Sequence, residues 1–387
     1  MLKKILCALL MLALVCAAGA ALCEEGTIDE RVDAAFKKVR SVGGAFVVAL
    51  GDEIVYERYY GVQQQTIKVP VTEKSYFRCA SVTKLVTGIG IMKMADEGLL
   101  DVDEDISTYL GYTVRNKRYM KQPITLRHLM SHTAGIVENS SFSYKSSILS
   151  DMINVDKKAG SNFKKDVPPG SAYTYSNFGA GITGAVIEAV TGQDVSSFMR
   201  EFLFAPLGID AAYHVSQLTE PDYICATYKK DGSLYAAPSY MLRQEYVAEA
   251  DPDHHYRTTI GSLQIRPRDL AKLGIALCGD GTVDGVRVLS EEAIAMMRAP
   301  HSEATDGITE DSPYSFFTIR QDSLFEGRTV YGHQGTDEGV VCNLYTEPES
   351  GLTIVVMSNG TRSKRVDGIM SITRSLAGIA WDEFVAE

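Results

Sequence analysis

The hydrophobic pattern of this chain begins with an apolar run over residues 5–21. It follows Lys3 and Lys4 and ends in Ala17, Ala18, Gly19, Ala20 and Ala21, before Glu24 and Glu25. A basic start, an apolar stretch and small residues before a polar segment predict a secretory signal peptide over residues 1–23. Cleavage after Ala20 and cleavage after Cys23 both fit. Retention as a membrane anchor and lipid attachment at Cys23 are the alternatives. The run is shorter than the ~20 residues that a span needs, and bulky Leu22 stands where a lipid-attachment site prefers a small residue.

Beyond residue 23 a single domain is expected over 24–387. Residues 46–50 and 54–60 are β-rich and joined by Gly51-Asp52, a hairpin signal. A helix is predicted from Ser81 to about Gly98, with Leu85, Ile89, Met92 and Met94 on or near one face. A short helix over 125–131 is capped by Thr125 and stops before Gly135. Residues 181–190 are small and apolar all round, the pattern of a buried helix. Further helices are expected over 196–204 and 267–277. Strands return at 315–319, 329–332, 340–345 and 352–357, and a last helix at 364–379. Strands at both ends and helices between them predict an α+β fold: an antiparallel sheet flanked by helices, its halves at about 27–110 and 310–387, with a helical region inserted over about 111–309.

Composition narrows the function classes. The chain has 387 residues, 45% hydrophobic and 22% charged, which excludes a disordered protein. Its net charge is −11, and no Lys/Arg-rich block is present, so a nucleic-acid partner is not expected. Loss of the leader would remove Lys3 and Lys4 and leave about −13. Of seven cysteines, Cys79, Cys225, Cys278 and Cys342 lie beyond the leader, widely spaced and without a CxxC pair. That spacing speaks against a zinc site and for mostly buried free thiols, although export permits disulfides in any of three pairings. A chain of this length builds its core without a metal, and no cofactor is expected.

Three short motifs carry candidate chemistry. Ser81-Val82-Thr83-Lys84 is a Ser-x-x-Lys, and so is Ser161-Asn162-Phe163-Lys164. Ser81 opens the predicted helix, so Ser81 and Lys84 fall on one face, one turn apart. A serine there also meets free backbone N–H groups, which favour a developing anion. Ser161 sits in a polar stretch with no such context. The bland reading of Ser81 is a helix cap beside a solvated lysine. Tyr175-Ser176-Asn177 is the only Tyr-x-Asn in the chain and precedes the buried helix. His333-Gln334-Gly335-Thr336 lies between strand-like runs, where the glycine would let a substrate approach the backbone.

In this order the three motifs resemble those of the serine β-lactamase and penicillin-binding protein superfamily, in the branch of class C β-lactamases, D-alanyl-D-alanine carboxypeptidases and family VIII esterases. The resemblance covers nearly the whole chain beyond the leader. It includes the segment from Leu126 to Gly135, Ala205-Pro206-Leu207-Gly208, Gly261-Ser262-Leu263, Asp269-Leu270-Ala271 and Asn359-Gly360. It implies the β-lactamase/transpeptidase-like fold and an acyl-enzyme on Ser81. Either Lys84 or Tyr175 would be the base. The N–H groups of Ser81 and Thr336 would form an oxyanion hole, and Asn177 would bind the substrate amide and Lys84. The implied substrate is a small molecule or peptide, peptidoglycan among them, with D-Ala-D-Ala-type peptides first. β-Lactams and esters are alternatives, as is a sensor that acylates without turnover.

One residue departs from the β-lactamase pattern: His333 stands where that branch has lysine. A histidine there is expected to make carboxylate recognition depend on pH over roughly 6 to 8. Arg362 or Arg365 is the alternative source of positive charge. Other clusters invite less. His128 and His132 are four apart but lack the glutamate of a zinc-protease helix. Asp251-Pro252-Asp253-His254-His255 reads as a solvated loop, and the acids at 101–105 lack a calcium-loop glycine. No Gly-x-Ser-x-Gly is present, which excludes an α/β-hydrolase elbow.

Overall fold

A computed structural model describes residues 26–138, 148–157, 162–303 and 313–386. The expected signal peptide and Ser161 lie outside the described residues. The first helix, α1 (Ile28–Lys38), starts with a capping box between Thr27 and Glu30. Strand β1 (Gly43–Leu50) turns at Gly51-Asp52 into β2 (Glu53–Gln64), followed by β3 (Val69–Pro70). The C-terminal half of the sheet consists of β4 (Ser302–Glu303), β5 (Pro313–Tyr314), β6 (Ile319–Gln321), β7 (Val330–Asp337), β8 (Val340–Glu347) and β9 (Leu352–Ser358).

Among the described residues these make one antiparallel sheet, in the order β4-β5-β6-β7-β8-β9-β1-β2-β3. The two ends of the chain meet where β9 pairs with β1, Val355 opposite Val47. Every residue of β9 is buried, because both faces of the sheet are covered. Helix α5 (Pro267–Cys278) packs on one face; α6 (Ser371–Phe384) and α1 pack on the other.

Three central helices lie between α5 and the N-terminal strands in chain order: α2 (Val82–Asp96), α3 (Leu126–Met130) and α4 (Asn177–Thr191). A small sheet ties the N-terminal half to the inserted region: Phe77–Arg78 and Ala211–Ala212 lie on either side of Gln264–Ile265.

Helix α2 departs from the expected single apolar face. Val82 through Met92 are all buried, because the helix runs through the main core between the sheet and the helical region. Helix α4 is buried along most of its length, as its composition predicts. Gly181 lets it approach Tyr256, since a Cβ there would sit 2.3 Å from the Tyr256 carbonyl oxygen.

Two boundaries differ from the pattern. The expected strand at 315–319 is broken, with Phe317 in the left-handed region at φ 51°. The last helix starts at Ser371 rather than 364, because Arg365–Val366 and Ile369–Met370 form a hairpin. Its two turn residues, Asp367 and Gly368, both have positive φ, the requirement of a tight two-residue turn. Cys79, Cys225, Cys278 and Cys342 are buried free thiols.

Candidate active site

Ser81 immediately precedes α2. Ala80 before it is held at φ 45°, a conformation that costs a non-glycine residue free energy and is maintained only by its surroundings. Ser81 itself has helical angles, and its side chain makes no capping hydrogen bond. The hydroxyl is therefore not spent on the helix end.

Lys84 is not solvated. It is fully buried, and its Nζ lies 3.2 Å from Ser81 Oγ, 2.8 Å from Asn177 Oδ1 and 2.8 Å from the Ile260 carbonyl oxygen. Three acceptors match the three protons of an ammonium. Burying that charge costs several kcal/mol of lost hydration, and these contacts offset it. The same geometry serves a neutral amine: two N–H groups keep Asn177 and Ile260, and the lone pair accepts from Ser81 Oγ–H. Tyr175 Oη is 3.0 Å from Ser81 Oγ on another side. The Lys84 ammonium stands 5.3 Å from the Tyr175 ring centre. The serine hydroxyl thus has two neighbours able to take its proton.

Local folding fixes Tyr175 and Asn177. Ser176 caps α4 by accepting from the Gly179 N–H at 2.9 Å. Glu138 Oε1 accepts from the Asn177 and Phe178 N–H groups at 2.6 and 3.1 Å, a carboxylate at the positive end of the helix. With Oδ1 taken by Lys84, Asn177 offers its NH₂ to a ligand. His132 packs beneath Tyr175, ring centres 4.5 Å apart, and its Nδ1 accepts from the Ser176 N–H at 3.3 Å. Burial and the nearby Lys84 push its pKa well down, so it is a neutral packing group. Its neighbour His128 completes the capping box of α3 with Thr125.

The third motif lies on β7. Gly335 corrects one expectation: its close approach is to protein, not substrate. A Cβ there would lie 2.3 Å from the Cys79 carbonyl oxygen and 2.8 Å from the Ser81 nitrogen. Glycine lets the strand lie against the turn that carries Ser81. Thr336 is exposed and lines the cleft above Ser81.

His333 corrects another. It is buried, and burial together with Lys84 pushes its pKa down to about 3. Its Nδ1 donates to the Gln334 carbonyl oxygen at 2.8 Å, so its Nε2 accepts from Tyr314 Oη–H at 2.8 Å. A neutral ring with both nitrogens engaged offers a substrate carboxylate no charge, and it does not titrate over roughly pH 6 to 8.

The cleft of about 180 Å³ is lined by Ser81, Tyr175, Asn177, His333, Thr336 and Arg365, among others. Arg365 reaches it from the hairpin before α6 and is close enough to His333 to lower its pKa. Arg362 lies outside this cleft. A general-base and nucleophile pair in a small cleft, with amide and cationic groups at its walls, can perform acyl transfer.

The beta-lactamase family model matches residues 25–377. The chain belongs to the beta-lactamase family. It is 26% identical over 367 residues to penicillin-binding protein 4 of Amycolatopsis lactamdurans, covering 92% of each chain. It is 28% identical over 213 residues to esterase EstB of Burkholderia gladioli, covering 52% of this chain and 54% of the esterase. The fold matches that of D-alanine carboxypeptidase AmpC from Burkholderia cenocepacia, with a TM-score of 0.68, 16% identity, and coverage of 92% and 97%. As a member of the beta-lactamase family the protein is a serine hydrolase.

Sequence reasoning missed four contributors: Ile260, Glu138, Tyr314 and His132 in its place under Tyr175. Ile260 acts through a backbone oxygen, which side-chain identity does not reveal. Its only signal was the adjacent Gly261-Ser262-Leu263. Tyr314 falls just before the run read as a strand, and Glu138 follows the scaffold segment by three residues. No group of three or more His, Cys, Asp or Glu is placed to hold a metal among the described residues. His255 instead pairs with Glu188 and His254 with Asp251. None of the described helices is long and apolar enough to cross a membrane.

Proposed function

We propose that this protein is an exported hydrolase that removes the C-terminal residue from D-Ala-D-Ala-type peptides through an acyl-enzyme on Ser81. The observation that carries the reading is the position of Ser81 Oγ between Lys84 Nζ and Tyr175 Oη, 3.2 and 3.0 Å away, in a cleft that Arg365 also lines. The hydroxyl proton passes to Lys84 or Tyr175 as Oγ bonds to the scissile carbonyl carbon. The N–H groups of Ser81 and Thr336 receive the oxyanion. The same base returns the proton to the departing amine as the C–N bond breaks, and water then hydrolyses the ester. Asn177 NH₂ holds the substrate's upstream carbonyl.

Arg365 is the carboxylate contact in this reading, since His333 is neutral. The names of the penicillin-binding and D-alanine carboxypeptidase relatives support the substrate class. The leader pattern with Lys3 and Lys4 supports export. Ester hydrolysis is the second reading, favoured by the uncharged His333 and the similarity to an esterase.

The test compares an acyl-D-Ala-D-Ala peptide with a phenyl ester of the same acyl group. Release of D-alanine is expected, with Arg365→Gln lowering kcat/KM for the peptide by about tenfold and leaving the neutral ester unaffected. Ester turnover without D-alanine release, or equal losses on both substrates, would favour the esterase reading.

A further inference from the structure

Arg78 ends the short strand Phe77–Arg78, three residues before Ser81. Its guanidinium reaches two other segments at once. Nε donates to the Gly261 carbonyl oxygen at 3.1 Å, and Nη1 donates to the Asp337 carboxylate. Gly261 directly follows Ile260, whose carbonyl oxygen accepts from Lys84. Asp337 directly follows Thr336 at the end of β7. One side chain therefore links the stretches that carry the nucleophile, the acceptor for Lys84 and the Thr336 N–H group.

Backbone bonds already join the first two of these stretches. Arg78 pairs with Gln264 in the small sheet, and the Cys79 N–H donates to the Leu263 carbonyl oxygen at 2.8 Å. The Leu263 N–H donates in turn to Thr83 Oγ1 at 3.2 Å. Strand β7 is held differently. Its ladder partners are β6 and β8, and it meets the Ser81 turn through the close packing at Gly335. Apolar packing is non-directional, whereas a charge-assisted hydrogen bond fixes both distance and angle. The Arg78–Asp337 pair is such a bond, one residue beyond Thr336. Stability does not account for it. The two side chains are 27% and 34% exposed, and ion pairs so open to water contribute little to folding.

We propose that Arg78 is a positioning residue: through Asp337 and Gly261 it sets the end of β7 against the Ser81 turn, so that the Thr336 N–H stands where the oxyanion forms. This rests on the acyl-enzyme reading above and deepens it. Arg78 lies outside the residues that line the Ser81 cleft, so it acts through Thr336 and not on the substrate. Its effect belongs to the tetrahedral state, in which the carbonyl oxygen carries charge, and not to binding of the neutral carbonyl.

The experiment compares full-length Arg78→Met, Asp337→Asn and the double variant with the unmodified protein. Single-turnover release of nitrophenol from a neutral 4-nitrophenyl ester gives the acylation rate constant and the ester's dissociation constant separately. Phenylboronic acid mimics the tetrahedral state: boron bonds to Ser81 Oγ as the hydroxyl proton passes to the base, and a boron-bound oxygen takes the oxyanion's place. Its Kd is read by competition with the ester. Removing an oxyanion donor outright costs about 10²–10³ in rate. A misplaced donor costs less, so acylation and boronate affinity are each expected to fall by about tenfold in either single variant. The ester's dissociation constant should stay unchanged, and the double variant should be no worse than the poorer single one, since both remove the same tie. Asp337→Asn leaves every backbone contact in place, so the test stands on it if Arg78→Met fails to fold. An unchanged acylation rate would overturn the proposal. So would ester binding weakened as much as acylation, the mark of a loosened cleft or a direct substrate contact, or additive losses in the double variant. Unmodified protein that forms neither an acyl-enzyme with the ester nor a Ser81-dependent boronate adduct would overturn the acyl-enzyme reading, and this proposal with it.

Discussion

The floor and the rim of this cleft are built on opposite principles. At the floor, Lys84 is fully buried and each of its N–H directions has an acceptor. His333 and Tyr314 are likewise closed on each other. At the rim, Lys230, Arg362 and Lys364 stand exposed, with Asp231 and Glu338 among them. A dry, satisfied network fixes geometry and resists change, because each deletion leaves a buried partner unpaired. Exposed cations do neither, but they can choose a ligand. The difference sets a paired, buried floor against an exposed, solvated rim.

Floor substitutions should therefore have the largest effects. Lys84→Met and Tyr175→Phe are each expected to lower kcat/KM by about 10²–10⁴, the range for a lost acid–base group. If the two move one proton together, the double variant should be little worse than the poorer single one. Steady-state kinetics on a neutral ester measures this, and fully additive losses would mean two independent devices.

A sharper division concerns His333. The ratio of kcat/KM for a carboxylate-bearing peptide to that for its neutral ester should be flat over roughly pH 6 to 8, since His333 is neutral throughout. A ratio that falls as pH rises through that window would return the carboxylate contact to His333 and remove it from Arg365.

The smallest expected effect is on stability. Burial lowers the pKa of both His333 and His132 in the folded protein. Between those lowered values and the ordinary value of ~6.5 the unfolded chain binds more protons, so stability rises with pH there and is lost as pH falls below ~6.5. Urea unfolding at pH 7.5 and pH 5 should show the loss, and His333→Asn should lessen it. A His333→Asn variant with an unchanged pH dependence would place the acid sensitivity elsewhere.

How far the sequence disclosed this division follows from the type of contact. That Ser81 and Lys84 are neighbours was legible from helical spacing, while their candidate role came from the order of all three motifs. Tyr175 and Asn177 were legible through motif and order. The antiparallel sheet was legible because β8 and β9 are apolar runs of strand length. Contacts carried by backbone oxygens, such as Ile260 to Lys84, leave no trace in residue identity. His333 was misread because its residue type gives an ordinary pKa, while its burial against Tyr314 is a property of the folded sheet. The hairpin that presents Arg365 was hidden inside an apparent helix, although Asp367-Gly368 was its signal. The rim was least legible, since it joins residues near 230, 336 and 362 that meet only in three dimensions.

The most direct test of the acyl-enzyme is intact-mass measurement after exposure to benzylpenicillin and, separately, to a fluorophosphonate, followed by peptide mapping. A single adduct is expected on the peptide containing Ser81, absent in Ser81→Ala protein whose circular dichroism is unchanged. An adduct on Ser161 or Ser176, or labelling that persists in Ser81→Ala, would contradict the assignment of Ser81 as the nucleophile.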